Sequence, residues 1–196
     1  KPSLLSQETG LLLRPLGFSL ASYEAVFKNP SIISGYANTL FYTLVGTFIN
    51  LLLTSLGAYV LSRKNYLLKK AFTFLIIFTM FFSGGLIPTY LLVKSLHLID
   101  TRFALILPQA ISVWNLIVMR TSFSQVPDSL EESARIDGAN DFTILFRIVI
   151  PLSKAVIAVM FLFYAVGHWN SWLPATIYLR NRDLYPLQLI LREILI

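Results

Sequence analysis

The chain has 196 residues, 56% hydrophobic and 13% charged, with a formal net charge of +6 and a mean hydropathy of +0.68. That little charge cannot cover the surface of a soluble domain, so lipid is the solvent the composition implies. The absence of cysteine excludes a disulfide framework, a thiolate zinc site and a cysteine nucleophile, and the 16 Lys and Arg, scattered in small groups between apolar blocks, argue against a nucleic-acid surface.

Residues 1–35 read as an external segment ahead of the first span. Lys1 to Lys28 is mixed in character and broken at Pro15, unlike a cleavable signal peptide. No residue between Lys28 and Arg63 is charged, and Tyr36 to Ser62 is long enough to cross roughly 30 Å of hydrocarbon. A second charge-free run goes from Ala71 to Val93, with Gly84, Gly85 and Pro88 as expected bend points. A third, shorter run from Phe103 to Met119 carries Pro108, Gln109 and Asn115. The fourth, Ala155 to Leu179, contains a single histidine, His168. Residues 36–196 are therefore expected to form one all-α, polytopic transmembrane helix bundle with four spans.

The link after the first span carries Arg63, Lys64, Lys69 and Lys70 without an acid, whereas the next link holds only Lys94, His97, Asp100 and Arg102. The positive-inside rule puts the first link in the cytoplasm. Alternation then puts 120–154 there too and both chain ends outside, an arrangement that suggests flanking spans missing from the sequence.

The cytoplasmic loop at about 122–154 holds Asp128, Glu131, Glu132, Asp137 and Asp141, half of the ten acids in the chain. Ser129-Leu-Glu-Glu132 fits a capping box after Pro127, and Gly138 stands where a helix should end. Asn140 or Asp141 caps a second helix through Arg147, and Pro151 is expected at the first turn of the last span. The loop reads as a compact docking element of helix, turn and helix.

Glu132-Ser-Ala134, three residues, Gly138, nine residues, then Ile148-Val-Ile150-Pro151 resembles the cytoplasmic motif of binding-protein-dependent ABC importer permeases. The family form is Glu-Ala-Ala, three residues, Gly, nine residues, Ile, any residue, Leu-Pro. Ser133 and Ile150 depart from it while keeping size or character. Glu131-Glu-Ser-Ala-Arg-Ile-Asp-Gly-Ala139 is similar to the version in maltose-type, oligosaccharide permeases. Phe18-Ser-Leu-Ala-Ser-Tyr23, Phe82-Ser-Gly-Gly-Leu-Ile-Pro88 and Gly167-His-Trp-Asn-Ser-Trp172 resemble a subgroup for complex oligosaccharides.

The resemblance implies a multi-pass permease of the bacterial inner membrane with the type I importer fold, forming half of a translocation pore. Its implied partners are a second permease subunit, two cytoplasmic ATPase subunits and an extracytoplasmic sugar-binding protein. No cofactor is expected on this chain, which lacks a phosphate-binding Gly-x4-Gly-Lys-Ser/Thr loop. ATP and Mg would sit on the partner ATPases, so the chain is not itself an enzyme. Contact with them would fall to the 129–151 loop: Glu131, Glu132, Ala134, Asp137, Gly138, Ala139 and Pro151, with Glu132 meeting a basic group on the ATPase.

Polar groups in lipid face a cavity or a partner helix. Gln109, Trp114, Asn115, Tyr164, Trp169 and Asn170, with Asn50 and His168, are candidates for a sugar path, which needs aromatic stacking plus amide and hydroxyl hydrogen bonds. The bland alternative for Trp169 is an interfacial belt, and for the Asn residues helix–helix hydrogen bonds. A permease for another solute is the runner-up function. A membrane enzyme or a proton-driven carrier would need a nucleophile, metal cluster or intramembrane carboxylate, which the spans lack.

Overall fold

The computed structural model describes residues 29–63 and 68–195. The expected external segment up to Lys28 and the centre of the first basic link lie outside the described residues. The protein is all-α. The first helix, α1 (Pro30–Ser62), is 33 residues long, about 50 Å at 1.5 Å per residue. It starts ahead of Tyr36 because Asn29 caps it, accepting a hydrogen bond from Ser31 N–H at 3.0 Å, with Pro30 at the first helical position.

α1 is the only described helix that is alone long and apolar enough to cross a membrane. Each other apolar run is a bent pair. α2 (Lys69–Phe81) and α3 (Leu86–Ser95) meet at 115°. α4 (Phe103–Gln109) and α5 (Val113–Phe123) meet at 54°. α6 (Asp128–Ile136) precedes α7 (Asp141–Leu152), which meets α8 (Lys154–Trp169) at 89°. The chain closes with α9 (Trp172–Tyr178) and α10 (Leu187–Leu195).

The first bend falls where the glycines predict it. Gly85 has φ +80°, the left-handed region that costs a side-chain-bearing residue energy and glycine little. The second falls just after Pro108, at 110–112. The last expected span differs from the structure: its helix stops at Trp169, and the chain turns at Asn170 and Ser171 before α9. Asn170 N–H still bonds Val166 O and Ser171 N–H bonds His168 O, which closes α8.

α1 is an inverted amphipathic helix. Its buried stripe is small and polar, including Gly35, Asn38, Thr39, Tyr42, Gly46, Asn50, Thr54 and Ala58, while Ile33, Leu40, Leu44 and Phe48 are exposed. Such a helix gains nothing from hiding leucine from lipid, so close packing and polar contacts hold its inner face. It packs chiefly on α8 and α5. Two apolar clusters lie at its two ends. One joins Ala58, Met119, Phe123, Ile144, Leu145 and Met160. The other joins Tyr42, Val93, Leu105, Ile106, Ala175 and Leu189. The polar middle of α1 runs between them.

Candidate functional site

Two arrangements stand out, one at the Arg63 end of α1 and one at its middle. At the Arg63 end, Pro127 caps α6, so the helix begins at Asp128 and not with Ser129 as its cap. The expected capping box does not form; Ser129 is already inside the first turn, where its hydroxyl cannot serve the free donors. The stop is as expected. Gly138 has φ +83°, its N–H bonds Arg135 O at 3.0 Å, and Ala139 N–H bonds Ala134 O at 2.9 Å. That pair of bonds is the Schellman closure. Asn140, not Asp141, caps α7, accepting from Thr143 N–H at 2.8 Å.

α7 contains a π-helical stretch, Leu145–Val149. Pro151 follows it near the end of α7, not at the first turn of the membrane helix, which begins at Lys154 past an 89° bend at Ser153. The bulge comes just before a residue that lacks an N–H, where regular α-helical bonding could not continue.

The seven loop candidates do not share one surface. Glu132, Asp137, Gly138 and Pro151 are exposed, Ala134 and Ala139 half-buried against the apolar cluster, and Ile136, which sequence reasoning passed over, is 86% exposed. Glu131 turns the other way. It is 6% exposed and ion-paired with Arg63. The Arg63 guanidinium also donates to Phe123 O at 3.2 Å and Ser62 Oγ at 3.0 Å, and lies 4.8 Å from the Tyr59 ring centre. Burial lowers the pKa of Arg63 from its ordinary value, a shift that Tyr59 and Asp128 oppose; an arginine so far from neutrality keeps its charge. Arg135 pairs with Asp141, whose Oδ1 also accepts from Tyr59 Oη at 3.4 Å.

At the middle of α1 a cavity of about 400 Å³ opens beside the break between α4 and α5. Asn50, Gln109, Ser112, Asn115, Tyr164 and His168 supply its polar lining. The break frees backbone groups that a straight helix would satisfy, and side chains from other helices take them up. Asn50 Nδ2 donates to Gln109 O at 2.9 Å, and Ser112 N–H donates to Tyr164 Oη at 3.2 Å. Tyr164 Oη also lies 2.7 Å from Thr54 Oγ1, and His168 Nε2 3.3 Å from Asn50 Oδ1. Gly46 makes room for that imidazole: a Cβ there would come within 2.5 Å of His168 Nε2.

Of the expected path residues, Gln109, Asn115 and Tyr164 converge here. Trp114 does not; it is 58% exposed and does not line the cavity. Trp169 packs edge-on against Tyr36 at 6.3 Å, and Asn170 lies in a separate groove with Trp172, Gln188 and Arg192. Among the described residues no group of His, Cys, Asp or Glu could hold a metal.

An all-α bundle of broken helices with a helix–turn–helix projection at one end has the fold of a type I ABC importer permease. The chain belongs to the family described as the binding-protein-dependent transport system inner membrane component, whose pattern matches residues 31–184, and it is a membrane protein. It is 47% identical over 94% of its length to the polygalacturonan/rhamnogalacturonan transport system permease protein YtcP of Bacillus subtilis. It is 46% identical over 93% of its length to Protein LplC of the same organism. It spans 65% and 62% of those two relatives. A bacterial ABC transporter involved in import of the acidic polysaccharide alginate has a chain of the same fold, with a TM-score of 0.90 and 36% identity over 96% of this chain and 67% of that one.

Proposed function

We propose that this chain is a permease subunit of an ATP-driven, binding-protein-dependent importer of oligosaccharides. It forms half of the pore and couples to a cytoplasmic ATPase through residues 129–151. The observation that carries the coupling is the outer face of α6. Glu132, Ile136 and Asp137 stand exposed along and just after a helix that is closed at Gly138 and whose other side is tied to α1. A carboxylate beside a bare isoleucine suits a cleft with a basic rim and an apolar floor.

In this reading α1, the first two bent pairs and α8 are four membrane spans. The basic Arg63 end is cytoplasmic, and 94–102 and 180–185 face outward. A second permease completes the pore, an extracytoplasmic binding protein delivers substrate, and ATP with Mg is held by the ATPases. The oligosaccharide class rests on the saccharides those relatives transport and on the cavity, whose amides, hydroxyls and Phe163 suit a hydroxyl-rich solute and whose lining, among the described residues, holds no carboxylate, lysine or arginine.

The test is the complete importer, with the full-length protein, in proteoliposomes. ATP-dependent uptake of a labelled pectin- or alginate-type oligosaccharide is expected. Gly138→Pro or Glu132→Lys should leave the protein in the membrane and abolish substrate-stimulated ATP hydrolysis. Normal stimulation in both variants would overturn the coupling assignment. Gln109→Ala or Asn115→Ala should slow uptake about ten- to a hundredfold, for a loss of roughly 1–3 kcal/mol, whereas Trp114→Ala should not.

A further inference from the structure

We propose that Arg63 is the positioning residue through which movement of α6 reaches the transmembrane bundle, so that the Arg63–Glu131 pair acts as a strut. The inference rests on the coupling reading above and names the link which that reading needs. α6 is short and mostly polar, and among the described residues the small, half-buried Ala134 and the following Ala139 pack on the apolar cluster beside it. Methyl groups give little purchase against a sideways force. Leu130 and Ile136, its larger apolar residues, are exposed.

The firm connection is ionic. Glu131 lies one residue before Glu132, about 100° round the helix, so one faces the bundle and the other faces away. Arg63 stands where three elements meet. It caps the end of α1, donates to Phe123 O at the end of α5, and holds the carboxylate in the first turn of α6. Its planar fork serves these acceptors in different directions at once, which a lysine ammonium on a flexible stem would not hold in fixed geometry. A second pair, Arg135–Asp141, ties α6 to α7, and Tyr59 of α1 touches both groups, through the Arg63 guanidinium and through Asp141. A push on Glu132 and Ile136 therefore meets a body tied to α1 through Arg63.

The complete importer in proteoliposomes separates a strut from a mere staple. In Arg63→Gln the ratio of substrate-stimulated to basal ATP hydrolysis should fall by about tenfold, with Arg63→Lys in between. The exchange of Arg63→Glu with Glu131→Arg should restore only part of the ratio, because it re-forms the ion pair but not the bond to Phe123 O. A residue that only held the fold together would lower assembled complex and both activities in parallel and leave the ratio at the wild-type value, and that result overturns the proposal. Spin labels on Leu44→Cys and Ile136→Cys, both exposed positions, give a readout that needs no substrate. The distance between them should be narrowly distributed in the parent and broadened in Arg63→Gln. Equal widths would overturn the strut. Lack of stimulation by any oligosaccharide in the wild-type importer would instead count against the function reading.

Discussion

The two ends of α1 are tied to the bundle by different chemistry. At the Arg63 end the ties include two ion pairs, Arg63 with Glu131 and Arg135 with Asp141, beside bonds from Arg63, Lys69 and Arg120 to backbone carbonyls. At the other end they are chiefly side chain to backbone. Asn38 Nδ2 donates to Asp183 O at 2.6 Å and to Tyr185 O at 3.2 Å, Tyr42 Oη donates to Leu184 O at 2.8 Å, and Thr39 Oγ1 accepts from Leu187 N–H at 2.8 Å. Asp100 Oδ1 accepts from the N–H groups of both Arg180 and Asn181, at 2.8 and 2.7 Å. Bonds to backbone fix the path of a loop. A buried ion pair joins two helices at one point and loses heavily when one partner goes, which suits an element that must move as a body.

That contrast orders the expected effects. Glu131→Ala should cost most, roughly 3 kcal/mol, because it strands a partly buried guanidinium; the unfolding midpoint of the purified protein checks it. A smaller loss there than at the other end would break the contrast. Gly46→Ala comes next, at roughly 1–3 kcal/mol, because the added methyl must displace the His168 ring. Gly138→Ala should cost about 1–2 kcal/mol, for forcing a Cβ into the left-handed region. Nothing lies within 4 Å of that position, so the cost is one of backbone conformation alone.

Asp100→Ala should have the smallest effect, since the half-buried carboxylate holds only a loop, and it adds a pH signature. The two backbone N–H groups, from Asn181 first and then Arg180, hold the Asp100 pKa below its ordinary value. A depressed carboxylate contributes stability that is complete above the ordinary value, about 3.9, and is lost as pH falls through the lowered one. The parent should thus lose its advantage over Asp100→Ala only in strong acid. An advantage that grew on acidification would contradict the clamp.

Much of this architecture is legible in the sequence. Charge-free runs mark the apolar segments, Gly84-Gly85 and Pro108 mark two of the bends, and Gly138 marks the end of α6. The failures are local and have physical causes. A capping box and a Pro-led helix start look alike on paper, and Pro127 decided for the second. Pro151 reads equally well as the opening of one helix or the close of another, and the π-helical stretch that settles it has no side-chain signature. Glu131 and Glu132 are indistinguishable as letters; which one faces the bundle depends on Arg63, 68 positions earlier in the chain. The cavity was half visible. Gln109 and Asn115 stand out as polar residues in an apolar run, but Trp114 between them points elsewhere because neighbours on a helix are 100° apart. The spacing of Asn50 and Thr54, one turn apart on α1, was the signal for the polar stripe that Asn50 and Thr54 share with Asn38 and Gly46.

In the proposed reading the exposed face of α6 meets the ATPase while the Asp100 end faces away from it. These 196 residues contain no cysteine, so each introduced thiol is the one thiol among them. Ile136→Cys and Arg180→Cys would each be placed in the assembled importer in native membranes and treated with a short thiol–amine cross-linker. The account predicts a cross-link from position 136 to the ATPase subunit and none from position 180. A cross-link to the ATPase from position 180, or its absence from 136 in a complex that still hydrolyses ATP, would contradict it.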